Sequence, residues 1–238
     1  MQPLIQREFH GRTARIAHST RSDGDLSPST VPADVLIQRR QAAVALPWCV
    51  ARQVHSDRAI AAAPADAAKE RPVGDALVTN KTNLVLAVHS GDCVPVGFIT
   101  DSATVAAAHA GWKGLEAGVL ESTVRRLREF GGAAAITAAV GPHIRASHYE
   151  FGQADLDRLA RRFGPDVIGA TNDGRPALDL TAAIAAELNR LGVDIAKWSD
   201  DCTAGEADLY WSHRDRQESG RIALVAWIAP ADETEDSR

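Results

Sequence analysis

Two residues whose types could do chemistry stand out. Cys93 ends an apolar run from Leu84 and precedes Val94-Pro95, and His109 closes the run Val105 to Ala108 ahead of Ala110-Gly111-Trp112-Lys113-Gly114. Each stands where an apolar stretch breaks into a polar, glycine-bearing turn, as expected at a strand end that opens onto a site. Alone, either residue would simply pack, because free cysteine and neutral histidine are ordinary interior residues. The pair carries more weight. The interval suits two arms of a hairpin with Thr100 to Ala103 as its turn, so that Cys93 starts one arm and His109 ends the return arm at the same open end.

A third candidate, His55 in Gln53-Val54-His55-Ser56, would complete a set of two imidazoles and one thiolate. Three such ligands with one position left open suit a catalytic rather than a structural zinc. Spacing alone leaves His55 open between ligand and bystander. Asp75 and Asp92 are candidates to orient the ligands or relay a proton. Lys113, in the turn after His109, and Arg214 are candidates to bind a phosphate or carboxylate, as is Arg221. His143 and His148 read as peripheral, and the segments 201–203 and 212–215 as structural turns.

The elements that must position these residues are partly legible. Short strands are expected at 75–79, 84–89, 94–100, 104–109, 136–140 and 221–228. Helices are expected over Val35 to Leu46, from Leu115 to Phe130 ending at Gly131-Gly132, from Gln153 to Phe163, and from about Thr181 to Gly192. Segments 22–33 and 59–73 read as loop and irregular connection. Strands in clusters, interrupted by helices without strict alternation, predict an α+β fold with mixed sheets flanked by helices. The expected organisation is a single domain over 1–229, with an acidic tail at 230–238 lacking apolar anchors and expected to be disordered.

Bulk properties narrow the function classes. The chain has 238 residues, a net charge of −5 and an apolar fraction of 45%. No basic stripe invites nucleic acid, and no apolar run reaches membrane-spanning length. Three cysteines and no secretion signal point to free thiols in a reducing, cytoplasmic setting.

The ordered series Gln53-Val54-His55, Gly74 to Thr79, Asp92-Cys93-Val94-Pro95-Val96, Ala108 to Leu115, Gly141-Pro142-His143-Ile144 with Tyr149-Glu150, Cys202-Thr203 and Gly220-Arg221 resembles the laccase-domain, YfiH-like family. That resemblance implies a zinc-dependent purine nucleoside phosphorylase with adenosine deaminase and methylthioadenosine phosphorylase activity. It implies that His55, Cys93 and His109 bind zinc, and that a purine nucleoside and phosphate are the small-molecule partners. The chain departs from the family pattern in 20–27, in a shortened loop before Val35, in His89-Ser90-Gly91, and in His213-Arg214-Asp215. The alternatives are a cysteine hydrolase with Cys93 as nucleophile and His109 as base, acting on amino-acid-bearing cell-wall precursors; copper-dependent phenol oxidation; and a non-catalytic metal-binding protein. Copper is disfavoured because a blue-copper centre commonly adds an axial methionine, and the single methionine is Met1.

Overall fold

The computed structural model describes residues 1–230. The expected acidic tail lies outside the described residues, apart from Pro230, which closes the last strand. Thirteen strands and six helices run in the order β1 (Gln2–Phe9), β2 (Arg12–His18), α1 (Ala33–Ala43), β3 (Trp48–Val50), β4 (Ala59–Ala61), β5 (Ala76–Thr79), β6 (Val85–Ser90), β7 (Val94–Thr100), β8 (Val105–Ala110), α2 (Trp112–Ala117), α3 (Val119–Gly131), β9 (Ile136–Val140), α4 (Gln153–Phe163), β10 (Ile168–Ala170), β11 (Pro176–Leu178), α5 (Leu180–Arg190), β12 (Asp194–Trp198), α6 (His213–Arg216) and β13 (Ile222–Pro230).

Two mixed sheets result: a five-stranded sheet in the order β1-β2-β13-β6-β3 and a six-stranded sheet in the order β12-β9-β7-β8-β5-β4, with β10-β11 forming a separate hairpin. The sheets lie face to face. Ile16, Leu86, Val88 and Leu224 of the first meet Leu77, Ile99, Val105 and Ala107 of the second in one buried cluster. Alternate residues of the six-stranded sheet (Val96, Phe98, Ala106 and Ala108) face α3, α4 and α5 in another. Burial on both faces explains why β6, β7 and β8 are mostly apolar along their length rather than alternating. The close approach of the sheets shows at Gly97, where a Cβ would lie 2.5 Å from Ile16 Cγ2. The result is the expected single α+β domain.

Several elements differ from expectation. The helix expected over 115–130 is two: α2 and α3 are separated by Gly118 at φ +101°. A left-handed residue ends one helix and re-aims the next, and the apolar repeat alone does not register that bend. α1 stops at Ala43 because Val44 is extended. Within 59–73, β4 pairs with β5 in parallel. The hairpin β1-β2 and the parallel edge strand β12 were not expected. β1 and β12 are half exposed, with polar residues interrupting the alternation that marks a strand. β13 is central, between β2 and β6.

For the site, the decisive register is that of β7 and β8, antiparallel with Pro95 opposite His109 and Val94 opposite Ala110. Cys93 precedes β7 in the connection that carries the chain from one sheet to the other.

Candidate metal and catalytic site

Residue by residue, the site begins with Asp75, which immediately precedes β5 and is fully buried. Its Oδ1 accepts from the His55 amide at 3.0 Å and from His109 Nδ1 at 3.0 Å. Its Oδ2 accepts from the amides of Val54 (3.2 Å) and Ser56 (2.7 Å) and from the Ser56 hydroxyl (2.8 Å). One carboxylate thus folds the 54–56 turn around itself and fixes the His109 ring. His55 sits at φ +58°. That left-handed conformation is uncommon for a side-chain-bearing residue, and the amide bonds to Asp75 offset its cost.

Because Asp75 takes Nδ1 of His109, Nε2 is the nitrogen left to face the site, the usual arrangement of a metal-binding histidine. The Cys93 sulfur lies 3.8 Å from His55 Nε2, and the His55 and His109 rings meet edge to face at 4.9 Å. One ligand atom from each of His55, Cys93 and His109 falls within 4.8 Å of the others. Tetrahedral bonding at ordinary zinc distances needs nitrogen and sulfur about 3.5 Å apart, so this donor set fits one divalent ion. Gly111 is required here: a Cβ on it would lie 2.8 Å from both Cys93 Sγ and His55 Cδ2.

The electrostatics match a thiolate site. Burial alone would raise the Cys93 thiol, but the charge of His109 and hydrogen bonds from His109 and His55 override it and bring the thiol down to about 6. Burial opposes a proton on His109 as well; the Cys93 charge and the Asp75 hydrogen bond win and lift it to about 9. Asp75 is held down at about 2: burial opposes its charge, and the bonds from His109 and Ser56 outweigh that.

Asp92 has a different job. Its Oδ1 accepts from Thr203 Oγ1 (2.7 Å) and Ser212 Oγ (2.8 Å), and its Oδ2 from the Arg214 amide (2.6 Å). These bonds tie the Cys93 connection to segments that local pattern marked only as turns. Nothing nearby in sequence signals the partners, which are 111 and 120 residues away. Asp92 also carries φ +131°, a conformation that persists only when such bonds hold it.

Arg214 lies over the Tyr149 ring at 4.5 Å and donates to the Glu150 carbonyl at 2.9 Å. It lines a cavity of about 480 Å³ with His148, Glu150 and Arg175. Tyr149 is close enough to Cys93 for the thiolate charge, after burial, to raise its phenol. Lys113 is exposed, its ammonium over Trp112 at 5.3 Å. His143, expected at the periphery, is instead fully buried. Its Nδ1 donates to the Gly141 carbonyl and its Nε2 accepts from Thr181 Oγ1, both at 2.9 Å. It is a satisfied core histidine.

A family profile described as "multi-copper polyphenol oxidoreductase laccase" matches residues 20–229. The chain belongs to this family. Within it, the chain is 41% identical over 182 residues to a purine nucleoside phosphorylase of Streptomyces coelicolor, covering 74% of this chain and 73% of the relative. It is 33% identical over 176 residues to a purine nucleoside phosphorylase of Clostridium acetobutylicum, covering 72% of each. Among solved structures, YfiH of Bacillus licheniformis superposes with a TM-score of 0.80 at 26% identity, covering 95% of this chain and 96% of the other. YlmD of Geobacillus stearothermophilus superposes at 0.78 with 25% identity, covering 92% of each chain. The family description speaks of several coppers. Among the described residues, one His/Cys/Asp/Glu cluster is arranged to hold an ion.

The structure thus brings together His55, Cys93, His109 and Asp75, and it ties buried Asp92, next to Cys93 in the chain, to the Arg214 amide. No helix among the described residues is long and apolar enough to cross a membrane.

Proposed function

We propose that the protein is a purine nucleoside phosphorylase with a single zinc held by His55, Cys93 and His109. The carrying observation is the convergence of one thiolate and two imidazoles on a common point, with Asp75 fixing the histidine that completes the set. The relatives' printed activity supports the substrate class. Zinc at such a site supplies a Lewis acid for an oxygen of phosphate or water.

The chain's own residues supply the rest. Asp75 keeps the proton on His109 Nδ1, so that Nε2 stays available as a donor. Arg214, which lines a cavity of about 480 Å³, would orient the nucleoside; a cavity of that size accommodates one. In phosphorolysis a phosphate oxygen bonds to C1′ of the ribose, the bond from C1′ to the purine breaks, and the base leaves with its electron pair and takes a proton. Adenosine deamination and cleavage of methylthioadenosine belong to the same reading, as does a cytoplasmic setting, which the free thiols of Cys49, Cys93 and Cys202 support.

One observation favours a second reading. A thiol lowered beside a histidine with a raised pKa is also what a nucleophilic cysteine requires, so a cysteine hydrolase acting on amino-acid-bearing cell-wall precursors is its competitor. Metal content, measured together with inosine and adenosine turnover with and without phosphate, separates the two. The phosphorylase reading expects about one zinc per chain and turnover lost in Cys93→Ala. Full nucleoside turnover in metal-free protein would overturn it.

A further inference from the structure

A separate cavity of about 290 Å³ is lined by Arg52, Arg71 and Arg221 with Gln53, Ser29 and Thr30. No carboxylate is among its lining residues. In a chain of net charge −5, such a local excess of guanidinium is unusual. Several other surface arginines are paired with carboxylates: Arg158 with Glu116, Arg175 with Asp173, Arg216 with Glu218. Among the described residues, the Arg52 and Arg71 side chains have neither a hydrogen bond nor an ion pair. The carboxylate of Asp25 stands behind the cavity wall, accepting from the amides of Ser27 and Arg221 and from Thr30 Oγ1.

The cavity is joined to the metal site through the backbone. Gln53 stands two residues before His55, which puts their Cα atoms at most about 7 Å apart. Its side-chain amide clamps the His89 backbone, donating to the carbonyl at 2.7 Å and accepting from the N–H at 2.8 Å. The Arg221 side chain lies against Gly91, where a Cβ would be 3.1 Å from Arg221 Cδ. Gly91 in turn stands two residues before Cys93. His89, which lines the cavity too, is held down at about 3, through burial first and then the charges of Arg40 and Arg71.

We propose that this cavity is a phosphate subsite, in which Arg52 and Arg71 with Arg221 bind the dianion of inorganic phosphate or of a phosphate ester on the substrate. Planar guanidinium groups match phosphate oxygens two at a time, and unpaired ones lose no partner on binding. The proposal deepens the phosphorylase reading and rests on it only for which anion is used.

The test is equilibrium binding of inorganic phosphate to the metal-loaded protein by calorimetry, without turnover. Arg71→Gln and Arg52→Gln are each expected to weaken binding about tenfold or more, and Arg71→Lys to recover part of the loss. Wild-type phosphate affinity in the Arg52→Gln/Arg71→Gln double variant would overturn the proposal, as would binding that depends on Cys93 and not on the arginines. In turnover, a raised KM for phosphate with an unchanged KM for inosine identifies free phosphate as the occupant. A raised KM confined to nucleoside 5′-monophosphates identifies the ester. If no nucleoside is turned over while arginine-dependent phosphate binding persists, the phosphorylase reading falls and the subsite stands.

Discussion

Asp75 Oδ1 lies 3.0 Å from His109 Nδ1, and the same oxygen accepts the backbone N–H of His55. One atom therefore sets both the tautomer of one candidate ligand and the backbone of another. Asp75→Asn would offer an N–H₂ or a weaker acceptor to donors that all need a carboxylate. The expected outcome is metal affinity lower by 10- to 100-fold and stability lower by about 3 kcal/mol, because buried donors lose a charged acceptor. Chelator competition and denaturant unfolding measure the two effects. Unchanged affinity would mean that His109 is held by something else.

Direct ligation has its own signature. Cobalt bound to the intact site should give a sulfur-to-metal charge-transfer band. Cys93→Ser should abolish that band, while His55→Ala should keep it with affinity weakened by at least 100-fold. A band that survives in Cys93→Ser would remove the thiolate from the coordination sphere.

Gly111→Ala tests the close packing of the site without replacing a ligand. The added methyl would lie 2.8 Å from Cys93 Sγ, inside van der Waals contact, so sulfur or ring must move. Metal affinity is expected to fall at least tenfold while thermal unfolding shifts by only a few degrees. Equal losses in both would point to a general packing defect instead.

For Asp92, the bonds to Thr203, Ser212 and the Arg214 amide predict a positioning role. Asp92→Asn is expected to cost about 2–4 kcal/mol of stability and to speed amide exchange in 203–214. Any loss of turnover should appear mainly as a raised KM, since Arg214 is displaced from the cavity proposed to hold the nucleoside. A lowered kcat with normal exchange would instead assign Asp92 to the chemistry.

Acid should destabilise the fold through two buried histidines away from the candidate ligands. Burial, followed by nearby arginine charge, holds His89 and His143 down at about 3 in the folded protein. Unfolded, both take up a proton near the ordinary histidine value of about 6.5. Between those limits the unfolded chain binds more protons, so stability falls as pH drops, by up to roughly 1 kcal/mol per pH unit for each residue. Unfolding midpoints of His143→Gln between pH 7 and 4 should decline less steeply than those of the wild type. Parallel slopes would contradict the assignment.

The apolar runs of β6 to β8, the amphipathic repeats of α3, α4 and α5, and the turn residues after Cys93 and His109 are local properties of the chain. Burial on one helix face or both sheet faces writes them into residue order. They sufficed to pair Cys93 with His109, because a hairpin relates residues close in sequence. The tie of His55 to Asp75, the service of Asp92 to Thr203 and Ser212, and the inward turn of His143 came only with the tertiary structure. Each depends on packing two sheets against one another, which joins segments whose separation along the chain carries no periodic or spacing signal. The polar edge strands β1 and β12 were hidden for a related reason: their hydrogen-bonding partners, rather than their own side chains, make them strands.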